Sequence, residues 1–375
     1  MTRARLRDLG ISLGHLPPGR FNAITDVPGV LVGHCTLIYD EPRVARTGVT
    51  VIVPREGRIW TDQAFAGYFS LNGCGEMTGT AWIEEAGLLH TPIAITNTNA
   101  VGVVRDALCA FPTEQQGEAS LAAVSSSWTG ALPVVGETWD GWLNDIAAFH
   151  VRKEHVFEAL ATAKGGTVPE GNVGGGTGMI CHELKGGIGT ASRLVDLGDA
   201  RYVVGSLVQA NYGARYLLHV AGVPVGRELG YELVPSPWST SPPAAGREGA
   251  GSIIGIIATD APLLPLQCQR LARRAALGLA RVGSIASNGS GDLFLAFATG
   301  NHLPAGQQRP YALTMLPHDR LDLLFEATVE AVEEAILNAL TAAETLSGWQ
   351  GHTAYALPLD ELQRIIARYR SRSVR

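Results

Sequence analysis

A segment whose composition cannot form a packed core is followed directly by a segment whose residues predict a buried strand. Residues 235–246 are rich in proline, serine, alanine and glycine, a composition that predicts an exposed loop. Residues 253–257 form a β-branched run, which predicts a short buried strand. Ser252 lies on the border, directly after Gly251. Any fold of this chain must therefore place this hydroxyl where a loop enters the core.

The Gly251-Ser252 pair has two interpretations. Glycine has no Cβ, so it tolerates a strained peptide and leaves its carbonyl open to attack by the Ser252 hydroxyl. Such a cut would give Ser252 a free α-amine with a pKa of about 7.7–8.0, which suits a general base. The alternative is a serine that only begins a strand after a loop. This segment by itself leaves both interpretations open.

Composition limits the classes of partner. The chain has 375 residues, of which 46% are hydrophobic, so it can bury a large core. A formal net charge of -6 argues against a nucleic-acid partner and an anionic membrane surface. No apolar run reaches the roughly 18 residues of a membrane helix. There are 45 glycines, well above the average share of about 7%, but no collagen-like period.

Cysteine use and the N-terminus predict the compartment. The five cysteines are scattered and form no C-x-x-C motif, which indicates reduced thiols. The basic N-terminus is not followed by an apolar segment of the kind found in secretory signals. We therefore expect a cytoplasmic protein.

Apolar periodicity predicts mixed layers of helices and strands. Strands are expected at 30–33, 49–53, 93–96, 202–209 and 293–297. Helices are expected at 80–89, 100–110, 143–163, 264–282, 321–343 and 359–369, with 321–343 amphipathic. No internal repeat is visible, and the blocks are uneven in size. The pattern therefore favours mixed α/β layers over a regular βαβ array.

Three polar residues follow apolar strands and are candidates for function. Glu137 and Asp140 lie where a strand opens into a loop, a common position for functional side chains. They could equally be a solvated turn acid and a helix N-cap. Asn211 ends another strand, where an amide can cap a turn or donate into an oxyanion hole.

The sequence does not match the metal-binding and nucleotide-binding motifs compared with it. The glycine clusters at 171–178 and 185–192 fit neither the Walker A motif nor the dinucleotide fingerprint. His182-Glu183 lacks the second histidine of H-E-x-x-H, and no cysteines are paired in sequence. We expect no metal and no cofactor. Neither Ser252 nor Ser290 lies in a G-x-S-x-G elbow, although a Ser-His-Asp hydrolase remains possible on residue count.

Seven short motifs follow one another along the chain. They are Asn72–Gly79, Ile95–Thr98, Pro133–Thr138, Lys185–Thr190, Gln209–Gly213, Gly251-Ser252 and Asn288–Asp292. Each motif is weak alone, but their joint order between about Ile24 and Leu340 is specific. In this order they resemble the self-processing aminopeptidases of the DmpA type, peptidase family S58. This family includes L-aminopeptidase/D-amino-acid esterases and β-peptidyl aminopeptidases.

The resemblance implies a fold and a maturation step. The fold class implied is α/β, a four-layer α/β/β/α sandwich of the DmpA/ornithine acetyltransferase type that is similar to N-terminal nucleophile hydrolases. One domain, residues 1–375, would cut itself into an α chain, 1–251, and a β chain, 252–375. Family members assemble as homo-oligomers of the cut heterodimer, often tetramers, and we expect the same here.

The resemblance also implies roles at the site. Ser252 would be the nucleophile of a serine aminopeptidase, acting through an acyl-enzyme on a small peptide, amide or ester with a free amine. Ser290 would hydrogen-bond the Ser252 hydroxyl or amine, and Asp292 would orient that network. Asn211 would stabilise the oxyanion. Glu137 would bind the ammonium of the substrate, because a blocked N-terminus would leave this carboxylate unpaired.

Two other functions are compatible with such a fold. An acetyltransferase of the ornithine acetyltransferase type shares the self-cleaving architecture but uses a threonine nucleophile, against which Ser252 argues. A non-catalytic binding protein is the other alternative, against which the complete set of site residues argues. Asp292 stands where some β-peptide-cleaving members have Glu, which leaves β-peptide preference open. Trp139 and Trp142 are expected to narrow the entrance to the site.

Overall fold

Two β-sheets form the centre of the fold in the computed structural model, which describes residues 3–56, 59–115, 132–238 and 251–372. The strands are β1 (Leu31–Tyr39), β2 (Ala45–Val53), β3 (Asp62–Gly73), β4 (Leu88–Leu89), β5 (Ile93–Asn97), β6 (Val134–Thr138), β7 (Ile180–Cys181), β8 (Leu184–Lys185), β9 (Gly187–Asp196), β10 (Arg201–Asn211), β11 (Gly251–Thr259), β12 (Ser290–Pro304), β13 (Leu346–Ser347) and β14 (Thr353–Ala354). One sheet has the order β1-β2-β5-β6 and the other β4-β3-β12-β11-β10-β9, while β7-β8 and β13-β14 are separate hairpins.

Helices cover the outer faces of both sheets. They are α1 (Thr80–Ala86), α2 (Val101–Gln115), α3 (Lys153–Ala161), α4 (Val225–Glu228), α5 (Pro265–Val282), α6 (Asp322–Ala342) and α7 (Leu359–Arg372). Within the described ranges, no helix combines the length and apolar character needed to cross a membrane.

Three apolar clusters separate four layers. The central cluster joins the two sheets, with Ile95 from one packed near Ile254 from the other. A second cluster joins the four-stranded sheet to α2 and α3. The largest joins the six-stranded sheet to α5, α6 and α7. The expected α/β/β/α sandwich is therefore confirmed.

Strand direction brings distant segments to one edge of the six-stranded sheet. Strands β11 and β12 are parallel, because α5 carries the chain back across the sheet between them, so both begin at the same edge. Strand β10 is antiparallel to β11 and ends at that edge. In the facing sheet, β5 and β6 are parallel and end together. This topology places the first residues of β11 and β12 beside the last residue of β10.

The prediction of a helix over 143–163 is wrong for the first half of this range. Only Lys153–Ala161 is α-helical, preceded by a single 3₁₀ turn, Ile146–Ala148. Asn144 is buried, where its side-chain oxygen accepts from the backbone N–H of Arg46 and its amide donates to Asp140. Phe149 then adopts a left-handed conformation that ends the turn. Contacts with strand β2 therefore hold a segment whose periodicity favoured a helix.

Helix α6 was expected to be amphipathic, and this is wrong. It is buried on nearly every face, including Glu330, Glu333 and Glu334. The helix packs on β9 and β10, on α5 and on the N-terminal 3₁₀ turn Leu6–Leu9, so little of it faces solvent. Its carboxylates are therefore satisfied by partners from these neighbours.

A fully buried arginine joins sheet and helix. Arg193 on β9 binds Glu330 at 2.8 Å and Glu334 at 2.7 Å, and its side chain is 0% exposed. Burial alone would raise the pKa of Glu334, but hydrogen bonds and charge from Arg7 together with the charge of Arg193 lower it. The Glu334 carboxylate therefore depends on these cations to stay ionised within the core.

We expect Arg193→Met to lower the free energy of unfolding by about 3–5 kcal/mol, because two buried carboxylates lose a cation. Chemical unfolding followed by tryptophan fluorescence measures the loss. Arg201→Met is the matched control, because Arg201 lies on the neighbouring strand and pairs with Asp196 in solvent. It should leave the transition almost unchanged. Equal effects of the two variants would contradict the role given to the buried network.

Candidate active site

A cavity of about 510 Å³ opens at the edge where β10, β11 and β12 meet. Ser252, Asn211 and Glu137 all line it, together with Trp139 and Trp142. This volume lies in the range of small-molecule sites, about 300–1,000 Å³. Three of the residues named for catalysis and amine binding therefore converge on one space, although they lie far apart in sequence.

Ser252 faces this cavity because side chains alternate along a strand. Ile254 and Ile256 point into the layer between the sheets, whereas Ile253 and Ile257 point towards the helices. Ser252 lies an even number of residues from Ile254 and Ile256, so its side chain also faces the other sheet. Its hydroxyl oxygen accepts a hydrogen bond of 3.1 Å from the backbone N–H of Gly291. A neighbouring strand therefore fixes the position of the hydroxyl.

Both the backbone conformation of Gly251 and its surroundings exclude a side chain at this position. Its φ of +144° lies outside the usual range of L-residues, and an added Cβ would lie 2.0 Å from the carbonyl oxygen of Asn211. In register, Gly251 lies opposite Ser290 on β12. The peptide bond before Ser252 is thus held between two strands, with glycine required on its carbonyl side.

Asn211 lies directly opposite Ser252 across the antiparallel pair of strands. The backbone N–H of Ile180 donates to its side-chain oxygen at 2.8 Å, which fixes the orientation of the amide. Its nitrogen donates to the carbonyl of Trp139 at 2.9 Å. An amide nitrogen carries two N–H groups. The second N–H is therefore available to an oxygen bound in the cavity.

Glu137 is a buried carboxylate with a donor on each oxygen. The backbone N–H of Glu76 donates to one oxygen at 3.0 Å, and the hydroxyl of Thr98 donates to the other. Burial raises the pKa of Glu137, although these two hydrogen bonds act in the opposite direction. Each carboxylate oxygen can accept a further hydrogen bond. An ammonium ion in the cavity would satisfy this remaining capacity.

Glu137 lies close to the segment that binds Ser252. A Cβ built on Gly75 would lie 3.3 Å from a Glu137 oxygen and 3.1 Å from the Cα of Gly291. Gly291 is the residue whose N–H binds the Ser252 hydroxyl. Gly75 is therefore close both to the Glu137 carboxylate and to the residue that binds the Ser252 hydroxyl.

Ser290 and Asp292 lie at the start of β12, and the strand expected at 293–297 begins earlier, at Ser290. The Ser290 hydroxyl donates to Asp292 at 2.6 Å. Burial raises the pKa of Asp292, although the hydrogen bond from Ser290 acts in the opposite direction. In the intact chain the Ser290 hydroxyl thus binds Asp292, and the Ser252 hydroxyl binds Gly291. The second Asp292 oxygen is buried without a hydrogen-bond partner.

An aromatic wall borders the cavity. The rings of Trp142 and Trp238 meet edge to face with centroids 5.0 Å apart, and His352 stacks on Trp142 at 3.6 Å. Trp139 is 47% exposed at the rim. The expected narrowing by Trp139 and Trp142 agrees with this geometry, and Trp238 adds a third indole.

Asp140 and His182 belong to the scaffold. Asp140 is fully buried and binds Asn144, and burial raises its pKa to about 7 although hydrogen bonds from Thr47 and Asn144 lower it. His182 contacts the carbonyl of Ala214, and burial lowers its pKa to about 4. Neither side chain lines the cavity. Asp140 was left open between a functional acid and a helix cap, and it is a buried anchor of the loop after β6.

The profile of peptidase family S58 matches residues 22–354. The chain belongs to peptidase family S58. It is 48% identical to the beta-peptidyl aminopeptidase BapA of Sphingosinicella microcystinivorans, over 98% of this chain and 92% of that protein. The expected family is therefore confirmed.

Two solved aminopeptidase structures have the same fold. A beta-aminopeptidase from Burkholderia sp. is 51% identical with a TM-score of 0.86, covering 97% of this chain and 99% of that one. The L-aminopeptidase D-Ala-esterase/amidase from Ochrobactrum anthropi, described as a variant of the Ntn hydrolase fold, is 40% identical with a TM-score of 0.86, covering 97% and 98%. The chain is therefore a serine-type aminopeptidase, and the acetyltransferase alternative is not favoured.

Several contacts of the candidate site could not be found from side-chain chemistry. Thr98 lies within a motif that was matched, but its bond to Glu137 depends on β5 and β6 being neighbours. The N–H groups of Gly291 and Ile180 come from the backbone, which carries no residue signature. Trp238 lies in the proline-rich segment that composition predicts to be an exposed loop, yet it packs against Trp142.

Proposed function

We propose that the precursor cuts itself between Gly251 and Ser252 and that Ser252 then serves as the N-terminal nucleophile of the aminopeptidase. The two pieces, residues 1–251 and 252–375, remain one domain, because β11 is paired on both sides within the sheet. The observation that carries this proposal is the convergence of Ser252, Asn211 and Glu137 on one cavity. A hydroxyl, an amide donor and an amine-binding carboxylate are what aminopeptidase chemistry needs at one place.

In self-cleavage, the Ser252 hydroxyl oxygen attacks the carbonyl carbon of Gly251. The bond from that carbon to the Ser252 nitrogen breaks as an ester to the hydroxyl oxygen forms. The nitrogen takes up the hydroxyl proton and becomes a free α-amine. Water then hydrolyses the ester and leaves a carboxylate on Gly251. The unpaired oxygen of Asp292, one residue along the neighbouring strand, offers a partner for the new ammonium group.

In peptide hydrolysis, the same hydroxyl attacks the carbonyl after the first residue of the substrate. The α-amine of Ser252 takes the proton as the acyl-enzyme forms and returns it to the departing amine, and Ser290 and Asp292 flank Gly291, the residue opposite Ser252 in register. Asn211 donates its second N–H to the oxyanion. Water releases the acyl group.

The substrate we propose is a small peptide, amide or ester with a free amine and an apolar first side chain. Glu137 pairs with the ammonium, and the wall formed by Trp139, Trp142 and Trp238 contacts the side chain. Two relatives are named for β-peptides or β-amino acids and one for L-amino acids and D-Ala esters. We extend both classes to this chain, and we propose that the cut heterodimers assemble into a homo-oligomer.

Mass measurement under denaturing conditions tests the proposal on freshly expressed protein. Two pieces are expected, the smaller beginning at Ser252. The cut protein should hydrolyse α- and β-amino-acid p-nitroanilides with free amines and leave their N-acetyl forms intact. Equal hydrolysis of free and acetylated forms would contradict the amine-binding site, and an intact but fully active chain would contradict the N-terminal nucleophile.

Gly251→Ala should slow self-cleavage by about 10²-fold, the cost of moving reacting atoms by about 1 Å. The added Cβ would collide with the Asn211 carbonyl, so the scissile carbonyl must shift from the Ser252 hydroxyl. Gly289→Ala is the control, because this residue also lines the cavity but its Cβ would meet nothing within 4 Å. Timed denatured masses compare the two. Normal cutting of Gly251→Ala would contradict the requirement for glycine.

A further inference from the structure

Lys185 is a buried cation that the proposed chemistry does not use. Its side chain is fully buried, at 0% exposure. Its ammonium group contacts backbone oxygens, and the described part of the chain gives it no carboxylate partner. Burying an unpaired ammonium is unfavourable unless its donors are satisfied. A lysine in this position therefore calls for a physical explanation.

Three backbone carbonyls accept from the Lys185 ammonium group. They are those of Met179 at 2.9 Å, Gly186 at 2.9 Å and Gly176 at 3.3 Å. An ammonium group has three donors, so each has one acceptor. The side chain thus joins both strands of the β7-β8 hairpin to the glycine-rich turn before it. Burial lowers the pKa of Lys185 to about 7.

The hairpin itself is tight and is fixed at its tip. His182 and Glu183 form a two-residue turn in which both have positive φ, 50° and 60°. His182 contacts the carbonyl of Ala214, and Glu183 accepts from the N–H of Arg215. The tip is therefore anchored to the chain after β10. Lys185 anchors the opposite, open end.

The open end of the hairpin is where it meets the cavity. Gly178 and Ile180 line the cavity, and they flank Met179, whose carbonyl Lys185 binds. The N–H of Ile180 donates to the Asn211 oxygen and so decides which way the amide nitrogen points. A shift of this segment would release that N–H and leave the Asn211 amide held only by the carbonyl of Trp139.

We propose that Lys185 is a positioning residue that holds the Met179-Ile180 segment in place and thereby aims the Asn211 amide at the oxyanion. This inference rests on the proposed function, because it assumes that Asn211 stabilises the oxyanion. It assigns a role to the Lys185–Thr190 motif, whose glycines bring the backbone close to neighbouring strands. A Cβ on Gly186, for example, would lie 2.4 Å from the carbonyl of Ala210.

A double-mutant cycle with Asn211 tests the proposal. Lys185→Met keeps the length of the side chain and removes its charge and donors. It should lower kcat for a free-amine p-nitroanilide by about 10²-fold, as expected for a misplaced oxyanion donor. KM should stay near the parent value, because Glu137 binds the amine. Lys185→Met should then cost little more when Asn211 is already alanine, since the two residues act through one donor.

The outcomes separate positioning from general stability. Losses that multiply in the double mutant, or a raised KM with kcat retained, would overturn the role of Lys185 and leave the proposed function standing. No loss from Asn211→Ala alone would overturn the oxyanion assignment itself. If Lys185→Met does not fold, Lys185→Gln takes its place, because glutamine keeps two donors without a buried charge. We expect Lys185→Gln to lower kcat by a smaller factor and to show the same non-additivity with Asn211→Ala. For variants that are cut incompletely, the same double-mutant cycle is measured on the rate of self-cleavage.

Discussion

Ser252→Ala should leave the chain in one piece and lower kcat for free-amine p-nitroanilides by about 10⁶-fold. This magnitude follows from removal of the nucleophile in serine peptidases, where binding and the oxyanion hole alone leave a small residual rate. The structure gives the hydroxyl no substitute, because the neighbouring Ser290 hydroxyl is bound to Asp292. Denatured mass and initial rates on the same sample report both effects.

The control for this experiment is a buried serine on the neighbouring strand. Ser206 lies on β10, is 0% exposed, and has a hydroxyl without a hydrogen-bond partner. Ser206→Ala removes the same atom from the same sheet, about 5 residues from Asn211 at roughly 3.3 Å of strand rise each. It should be cut and active like the parent. Two fragments from Ser252→Ala, or its unchanged hydrolysis, would rule out Ser252 in the corresponding step.

Ser252→Ala alone cannot distinguish a missing nucleophile from a missing cut. Ser252→Cys addresses this point, because a thiol can perform the same acyl shift and leave the same α-amine. We expect this variant to be cut and to hydrolyse free-amine p-nitroanilides at a rate that differs from that of the parent. If cutting occurs while hydrolysis is lost, the two steps make different demands on the group at position 252.

The layers of this fold could be predicted from sequence where apolar runs were long. The β-branched run at 253–257 lies within β11, and the helical periodicity at 264–282 matches α5, which begins at Pro265. These signals are local, because a buried strand or a helix face needs only the right spacing of apolar residues. The four-layer order came from the resemblance of seven motifs, since pairing between strands depends on residues far apart in sequence.

The elements that were missed depend on tertiary contacts. The segment 143–152 has helical spacing but is held by Asn144 and its bond to β2. Helix α6 has glutamates on the side that faces the sheet, where Arg193 and Arg7 make their burial possible. A sequence pattern treats such charges as solvated, because it contains no information about the partner.

The candidate site was predictable as a set of side chains but not as a geometry. Ser252, Asn211 and Glu137 were named from their motifs, and the structure brings them to one cavity. The groups that orient them are the N–H of Gly291, the N–H of Ile180 and the Thr98 hydroxyl. Two of these three are backbone groups, so only the way that β7, β10, β11 and β12 meet could reveal them.

Glu137→Gln should lower kcat/KM for free-amine substrates by between about 30-fold and several thousand-fold. The range corresponds to the roughly 2–5 kcal/mol lost when one partner of a buried charge pair is removed. Self-cleavage should proceed near the parent rate, because the Gly251-Ser252 peptide bears no ammonium before it is cut. Kinetics on the cut enzyme and timed masses of the precursor give the two rates.

Glu76→Gln is the matched control for Glu137→Gln. Glu76 is exposed and contacts Glu137 through its backbone N–H, which the substitution keeps. The variant therefore makes the same chemical change close to the site without removing a contact to Glu137. It should retain most of the activity. Equal losses from both variants would indicate a general effect of charge and not an amine-binding site.

The pH dependence supplies an independent test of Glu137. Burial holds its pKa above the ordinary value of a carboxyl group. Its charged form, which pairs with an ammonium, is present above that pKa and is lost as the pH falls through it. KM for free-amine substrates should therefore rise on mild acidification, at a higher pH than an ordinary glutamate would require. Glu137→Gln should remove this acidic rise. If the rise persisted in Glu137→Gln, another group would have to bind the amine, and discrimination against N-acetyl substrates should then also survive.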